Sequence, residues 1–354
     1  MHLRPPVLGS AIALLAAATV GGTISTVGVA GAAPAHPSNS YQVHKQFSDR
    51  AHAAAHRDRS LVNAWGIAQS PSSPLWVADN GTNVATLYMT DSKVPLTVSI
   101  PGGAPTGQVF NPTSGFRVPT PQGRMPALFI LDSEAGVISA WSQASGTMAK
   151  QVTKVHDAVF KGLAISTTGG PTRIYATDFH HGVVDVWNSS WDMVPGGFKD
   201  PHLPAGYAPF GIQAVGNKIL VSYAKQDADR HDDVPGAGHG FLDLYDRNGM
   251  FLQRVVSRGP LDSPWGIDVA PAGFGAFSGD LLVGNFGNGL INAFSPTTGA
   301  FLGTLKNAGG QPVILDGLWG LLNGNGIFAP KNAVIFSAGP VGESHGLLGF
   351  LTAN

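Results

Sequence analysis

A phrase that recurs along the chain limits its fold more than any other feature. "NAWGIAQS", centred on Gly66, comes back as "SPWGIDVA" around Gly266. A Gly followed by apolar residues also stands in "PTSGFRVP" (Gly115), "VFKGLAIS" (Gly162), "APFGIQAV" (Gly211) and "GLWGLLNG" (Gly320). Six such phrases, spaced about fifty residues apart, match the length of a four-stranded propeller blade and exceed that of a TPR or ankyrin unit.

Each unit then continues in the same order. A second strand is expected at "PLWVADN", "ALFILDS", "RIYATDF", "KILVSYA", "DLLVGNF" and "AVIFSAG". A third follows after a turn, with an aromatic near its end at Tyr88, Trp141, Trp187, Tyr245, Phe294 and Phe350. Period-two alternation with β-branched and aromatic content marks these as strands. Asn248-Gly249 and Thr298-Gly299 supply turns toward fourth strands such as "FLGTL". The sixth unit runs out at Asn354 after three strands, whereas "YQVHKQF" at 41–47 precedes the first unit with no blade of its own. Pairing 41–47 with 346–352 gives an all-β, six-bladed β-propeller closed by its N-terminal strand in the last blade, with no sheet edge left open. In that arrangement the Gly of each phrase lets strands crowd at the axis. The aromatics before it (Trp65, Phe210, Trp265, Trp319) are expected to wedge against the neighbouring blade.

Composition narrows the class. Arg4, the apolar run "VLGSAIALLAAATV" and A-x-A sites ending at Ala32 and Ala35 have the layout of a secretory signal peptide, dividing the chain into a signal at 1–35 and a propeller at 36–354. The product is expected to be secreted or held in the cell envelope, monomeric, with no membrane span after signal cleavage, since no later apolar stretch is long enough. A net charge of −1 without a Lys/Arg run argues against nucleic acid as a partner. The absence of Cys excludes disulfides, thiol catalysis and Cys-ligated zinc.

The unit pattern resembles the NHL-type six-bladed propellers. The strings "YAKQDADRHDDVPGAGHGFLDLYDRNG", "SPWGIDVAPAGFGAFSGDLLVGNFGNGLINAF" and "DGLWGL" are similar to an uncharacterised family of exported bacterial proteins, over essentially the whole mature chain. The resemblance implies the propeller and export, and implies no activity.

In a propeller the second strands all exit on one face. Their last residues form a ring of Asp79, Asp132, Asp178, Tyr223, Asn285 and Ala338, followed by Asn80, Glu134, His180 and His181. Carboxylates, an amide and imidazoles on one rim suit a hard cation through oxygen or a transition metal through nitrogen. An Asp recurring at a repeat position also suits a scaffold role, accepting bonds from turn backbone. The fourth unit departs from the others, its turn lengthened to "KQDADRHDDVPGAGHG" at 225–240, with Asp227, Asp229, His231, Asp232, Asp233 and His239 on the same face. Long loops in compact folds are functional or simply solvated. "DADRHDD" alternates acids as a calcium loop does but lacks the EF-hand Gly and terminal Glu. The expected cation is Ca2+ rather than zinc, held by Asp178, Asp227, Asp229 and Asp233. "PGGAPTGQ" at 101–108 precedes no helix and carries no Lys, so it is not a phosphate cradle.

Two function classes follow. One is a binding module holding a peptide, glycan or protein partner in the central funnel and at the 225–240 loop. The other is a metal-dependent hydrolase or lyase of lactonase type, disfavoured because "LVNAWG" has no acid near the first innermost strand. No G-x-S-x-G elbow supports a hydrolase triad.

Overall fold

The computed structural model describes residues 38–354, so the proposed signal segment lies outside the described residues. Within them, six sheets are arranged as blades, antiparallel throughout except where the two-residue strand His56–Arg57 pairs in parallel at the edge of the sixth. Their innermost strands are Ala64–Ala68, Pro105–Phe110, Phe160–Ser166, Tyr207–Val215, Pro264–Val269 and Leu318–Asn323. Each of these contacts the next in that order, and the sixth contacts the first, which closes a ring about one axis. No helix of the described residues is long and apolar enough to cross a membrane.

Tyr41–Ser48 pairs antiparallel with Leu347–Ala353, in a register that runs from Tyr41 opposite Ala353 to Ser48 opposite Leu347. The orphan strand therefore completes the sixth blade as expected, and non-covalent pairing of the ends stands in for a covalent clasp.

Glycine explains how the strands approach the axis. A Cβ added at Gly66 would lie 2.3 Å from the Thr106 carbonyl oxygen, and one at Gly211 would lie 2.1 Å from that of Trp265. At Gly107, Gly162, Gly266 and Gly320 it would likewise meet the following innermost strand, with the Gly320 Cβ 3.1 Å from the Trp65 carbonyl oxygen as the ring closes. Only hydrogen fits between neighbouring backbones there. Hydroxyls then bridge the blades. Thr177 donates to the Phe210 carbonyl (2.8 Å), Ser222 to that of Pro264 (2.6 Å), and Ser337 to that of Trp65.

The second blade corrects the sequence register. Its innermost strand is Pro105–Phe110, carrying Gly107, and not the segment around Gly115. Gly115 instead precedes a two-stranded hairpin, Arg117–Thr120 with Gly123–Pro126, inserted before the second strand Phe129–Ser133. The stretch "PGGAPTGQ" thus leads into a strand at the axis. In the third blade, Phe160–Ser166, Arg173–Asp178 and Val183–Asn188 form a three-stranded sheet, and only an isolated bridge from Trp187 to Met193 extends it outward.

The third-strand aromatics are buried as expected, with Tyr88, Trp187, Tyr245 and Phe294 all at most 1% exposed. The aromatics before the axial glycines behave differently. Trp65 stacks on Trp319 at 3.8 Å, Phe210 lies 5.9 Å from Trp319, and Trp265 lies 6.3 Å from Trp65. Those last two pairs join non-adjacent blades. The side chains therefore meet across the axis and plug it, with Phe179 and Phe286 from the rim turns completing the cluster. Apolar groups at the centre of a ring are each other's nearest cover from water, which is why they converge rather than turn into the blade seams.

Candidate functional site

Aligned on the axial glycines, the preceding residues are Trp65, Thr106, Lys161, Phe210, Trp265 and Trp319. A lysine thus occupies a place that four blades give to the aromatic plug. Lys161 is 1% exposed, and its Nζ lies 5.2 Å from the Trp65 ring centroid. A buried ammonium needs charge and hydrogen bonds around it. Its Nζ donates to Glu134 Oε1 at 2.5 Å and to Asp232 Oδ1 at 3.0 Å. Burial opposes the charge, but Glu134 and Asp232 outweigh it and hold the ammonium above the ordinary lysine value. Asp232 is held below the usual carboxylate range, because Lys161 overcomes the effect of its partial burial.

A polar network spreads from this pair over the plug. Asn80 donates to Glu134 Oε2 (3.1 Å), Asn63 donates to Asn80 Oδ1 (3.1 Å) and Glu343 Oε2 (2.7 Å), and the Trp319 indole donates to Asn63 Oδ1 (3.0 Å). Burial pushes Glu343 upward, and pushes nearby Asp233 up to about 6. Members of the network come from blades 1, 2, 3, 4 and 6, so the arrangement exists only in the closed ring.

The 225–240 loop delivers Asp232 and is ordered by its own backbone. Val234 N–H donates to Lys225 (2.8 Å), Asp227 N–H to Asp232 (2.8 Å), and Gly238 N–H to Leu261 (2.9 Å). Gln226 Nε2 reaches the Phe179 carbonyl at 2.5 Å, and Asp262 Oδ1 accepts from Gly236 N–H at 2.7 Å. His231 Nδ1 lies 2.9 Å from Asp232 Oδ1, with both side chains largely open to solvent.

The ring of second-strand exits is not an open rim. Asp79, Asp132, Asp178 and Asn285 are 0% exposed and Tyr223 is 1% exposed, each turned into its own blade. Asp178 accepts from the backbone N–H of Val159 (3.3 Å) and His181 (3.1 Å), and His181 Nδ1 lies 2.6 Å from its other oxygen. Asn285 donates to the Pro260 carbonyl at 2.8 Å, and the Tyr223 hydroxyl meets that of Tyr245 at 2.5 Å. Asp79 meets the Thr86 hydroxyl at 2.6 Å, and burial holds it well above its ordinary value. His180 packs edge-on to His181, with 5.1 Å between centroids.

Nor does the fold gather the four acids expected to hold calcium. Asp178 serves its own turn, Asp227 Oδ1 caps the loop by accepting from His231 N–H (2.9 Å), Asp229 is exposed, and Asp233 is largely covered. Among the described residues, one trio can each offer a ligand atom within 4.8 Å of the others: Glu134, His231 and Asp232. Lys161 Nζ already sits between two of its members, a positive charge where a cation would bond. The donor set therefore fits an internal ammonium better than a metal ion.

Lys161, Asn63 and Glu343 are the residues that motif reasoning missed. The signal for Lys161 was present in the repeat, as a charge in an aromatic register.

No protein-family model matches the chain. An uncharacterised protein of Acanthamoeba polyphaga mimivirus is 32% identical over 336 residues, covering 89% of this chain and 81% of that protein. A second from the same virus is 30% identical over 331 residues, covering 88% and 85%. A third is 29% identical over 170 residues, 46% of this chain and 31% of its own length. Among solved structures, a crystal structure of a nidogen/laminin complex aligns with a TM-score of 0.47 at 12% identity, covering 79% of this chain and 84% of the matched chain.

Proposed function

This chain belongs to the same family as the two mimivirus proteins that align over most of its length, and we propose that it is an exported binding module. Its partner, a peptide, glycan or protein, is held on the face that carries the 225–240 loop. The observation that carries this reading is the loop itself. Only the fourth blade extends its rim turn this way, and the extension is fixed over the axis by backbone bonds and by the Asp232–Lys161 pair. A preorganised polar surface binds without the entropic cost of ordering a free loop. Export is supported by Arg4, the apolar run and the A-x-A sites; intact mass of protein recovered from the medium checks it, and retention of Met1 counts against it.

The test of binding replaces residues 226–239 with the short rim turn of the second blade and compares the two proteins on peptide and glycan arrays. Ligands that bind the parent and not the shortened protein, at equal thermal stability, support the reading. Ligands retained by the shortened protein, or none for the parent, sink it.

A second reading, a metal-dependent hydrolase, draws on Glu134, His231 and Asp232, and requires a divalent ion to displace Lys161. Titrating the protein with calcium and with zinc separates the two. A saturable heat abolished by Asp232→Asn favours the metal, and its absence favours the ammonium.

A further inference from the structure

Beyond the plug, on the side away from the loop, the axis opens into a cavity of about 260 Å3. Its wall is set by the residue that follows each axial glycine: Ile67, Gln108, Leu163, Ile212, Ile267 and Leu321. Five are aliphatic and one is a carboxamide. Gln108 is 5% exposed, and among the described residues neither its Nε2 nor its Oε1 has a hydrogen-bond partner. A nearby lining residue, Gln69, donates through Nε2 to the Asn323 carbonyl at 2.6 Å, which leaves its own Oε1 buried and without a donor. No lining residue carries a charge, and Trp265 contributes to the wall beside the plug.

A carboxamide buried without partners destabilises the fold relative to one that is bonded. An aliphatic residue at 108 would complete the collar without that cost. The two free groups of Gln108 are a donor and an acceptor side by side, covered in this structure and met by a ligand once the head group turns toward the cavity that the residue lines, and Gln69 Oε1 adds an acceptor. A ligand that answers them offers an acceptor and a donor in one plane, as a primary carboxamide does. The uncharged aliphatic wall disfavours an anion, because a carboxylate would be desolvated with no cation to receive it. An apolar cavity of about 150 Å3 holds benzene, so this one has room for a short alkyl chain as well as the amide.

We infer that the axial cavity is a binding site for a neutral aliphatic carboxamide, with Gln108 as the residue that recognises the amide head and the aliphatic collar holding the chain. The site is separated from the loop face by the aromatic plug and stands independently of the function assigned to that face.

The experiment uses the full chain with hexanamide as the probe and hexanoate as its charged counterpart, followed by ligand-observed NMR and by the shift in melting temperature. Hexanamide binds the parent protein, hexanoate binds at least tenfold more weakly, and Gln108→Leu loses at least tenfold in hexanamide affinity while melting no lower than the parent. Gln108→Met, which keeps the length of the side chain, serves the same purpose if Gln108→Leu does not fold. No hexanamide binding by the parent up to its solubility overturns the inference, as does equal binding by the Leu or Met variant.

Discussion

Asp132 offers the sharpest test of how the blades are held together, through Asp132→Asn. Its side chain is 0% exposed, and burial pushes its carboxyl from 3.8 up to about 7, against bonds from Thr106 and backbone that favour the charge. Local geometry points the same way. The Thr106 hydroxyl has a single proton, yet lies 2.9 Å from Asp132 Oδ1 and 2.8 Å from the Phe160 carbonyl oxygen on the next blade. An ionised Asp132 has to share that one proton with the Phe160 carbonyl, whereas a protonated Asp132 donates to Thr106 and frees it to donate wholly to Phe160. Since the folded-state value is raised, the fold retains a proton that the unfolded chain releases above about pH 4. The contribution is therefore complete below about pH 4 and is lost as pH rises toward 7. At about 1.4 kcal/mol per unit, the loss amounts to about 4 kcal/mol by pH 8. Asparagine keeps the shape and a donor without the ionisation. Urea unfolding of both proteins, followed by tryptophan fluorescence at pH 4, 6 and 8, should show the variant gaining on the parent by about 4 kcal/mol across that range. Any fixed cost of repacking cancels in the difference, as do the other raised carboxyls, which both proteins share. A stability difference that stays within about 0.5 kcal/mol across the range would refute a protonated Asp132.

Lys161→Met should lower stability at neutral pH by about 3–5 kcal/mol, because Glu134 is left as a mostly buried carboxylate without its cation, and adding Glu134→Gln should restore part of the loss in thermal melts. Gly211→Ala should cost about 3 kcal/mol or abolish soluble expression, since its Cβ meets the Trp265 carbonyl, whereas Gly182→Ala, with open space around it, should cost only the ~1–2 kcal/mol of a left-handed backbone. Deleting residues 38–48 removes the outer strand of the sixth blade and exposes Leu347–Ala353 as an edge; light scattering should report association, and an unchanged melting temperature would remove the closure argument.

The ring and its closure were legible because strand order, turn residues and third-strand aromatics repeat, and a missing strand at one end matched a spare one at the other. Blade 2 was misregistered for a physical reason. Innermost strands are covered on both faces, so they lack the alternation that marks half-buried strands, and "PTGQVF" is further disguised by Thr106 and Gln108. "PTSGFRVP" imitates the repeat by chance, with Phe116 at φ 52° in a loop conformation. The acid ring was read correctly for its position in each strand but not for its direction, since residues that end a buried strand point into the blade as readily as toward the opening. The loop was found from its length and composition. Its bond to Lys161 was not, because it joins elements 71 residues apart.

A repeat fold provides its own control, because every register of the innermost strands beside the axial glycines is occupied six times. Where five blades place an aliphatic and one a glutamine, or four place an aromatic and one a lysine, the odd residue faces the same backbone geometry as its counterparts and differs only in chemistry. Backbone geometry therefore does not account for it. Lys161 is compensated within the protein by two carboxylates, one delivered by an extension that no other blade has. Gln108 has no such compensation, and its cost remains in the folded state. Departures from local consistency that carry a stability cost concentrate at functional sites. The two registers lie on opposite sides of the plug, so Gln108→Leu should leave ligand capture at the loop face unchanged, and Lys161→Met should leave hexanamide binding unchanged wherever the variant remains folded. Coupling between them would mean that the plug transmits strain between the faces, and the two sites would then have to be treated as one.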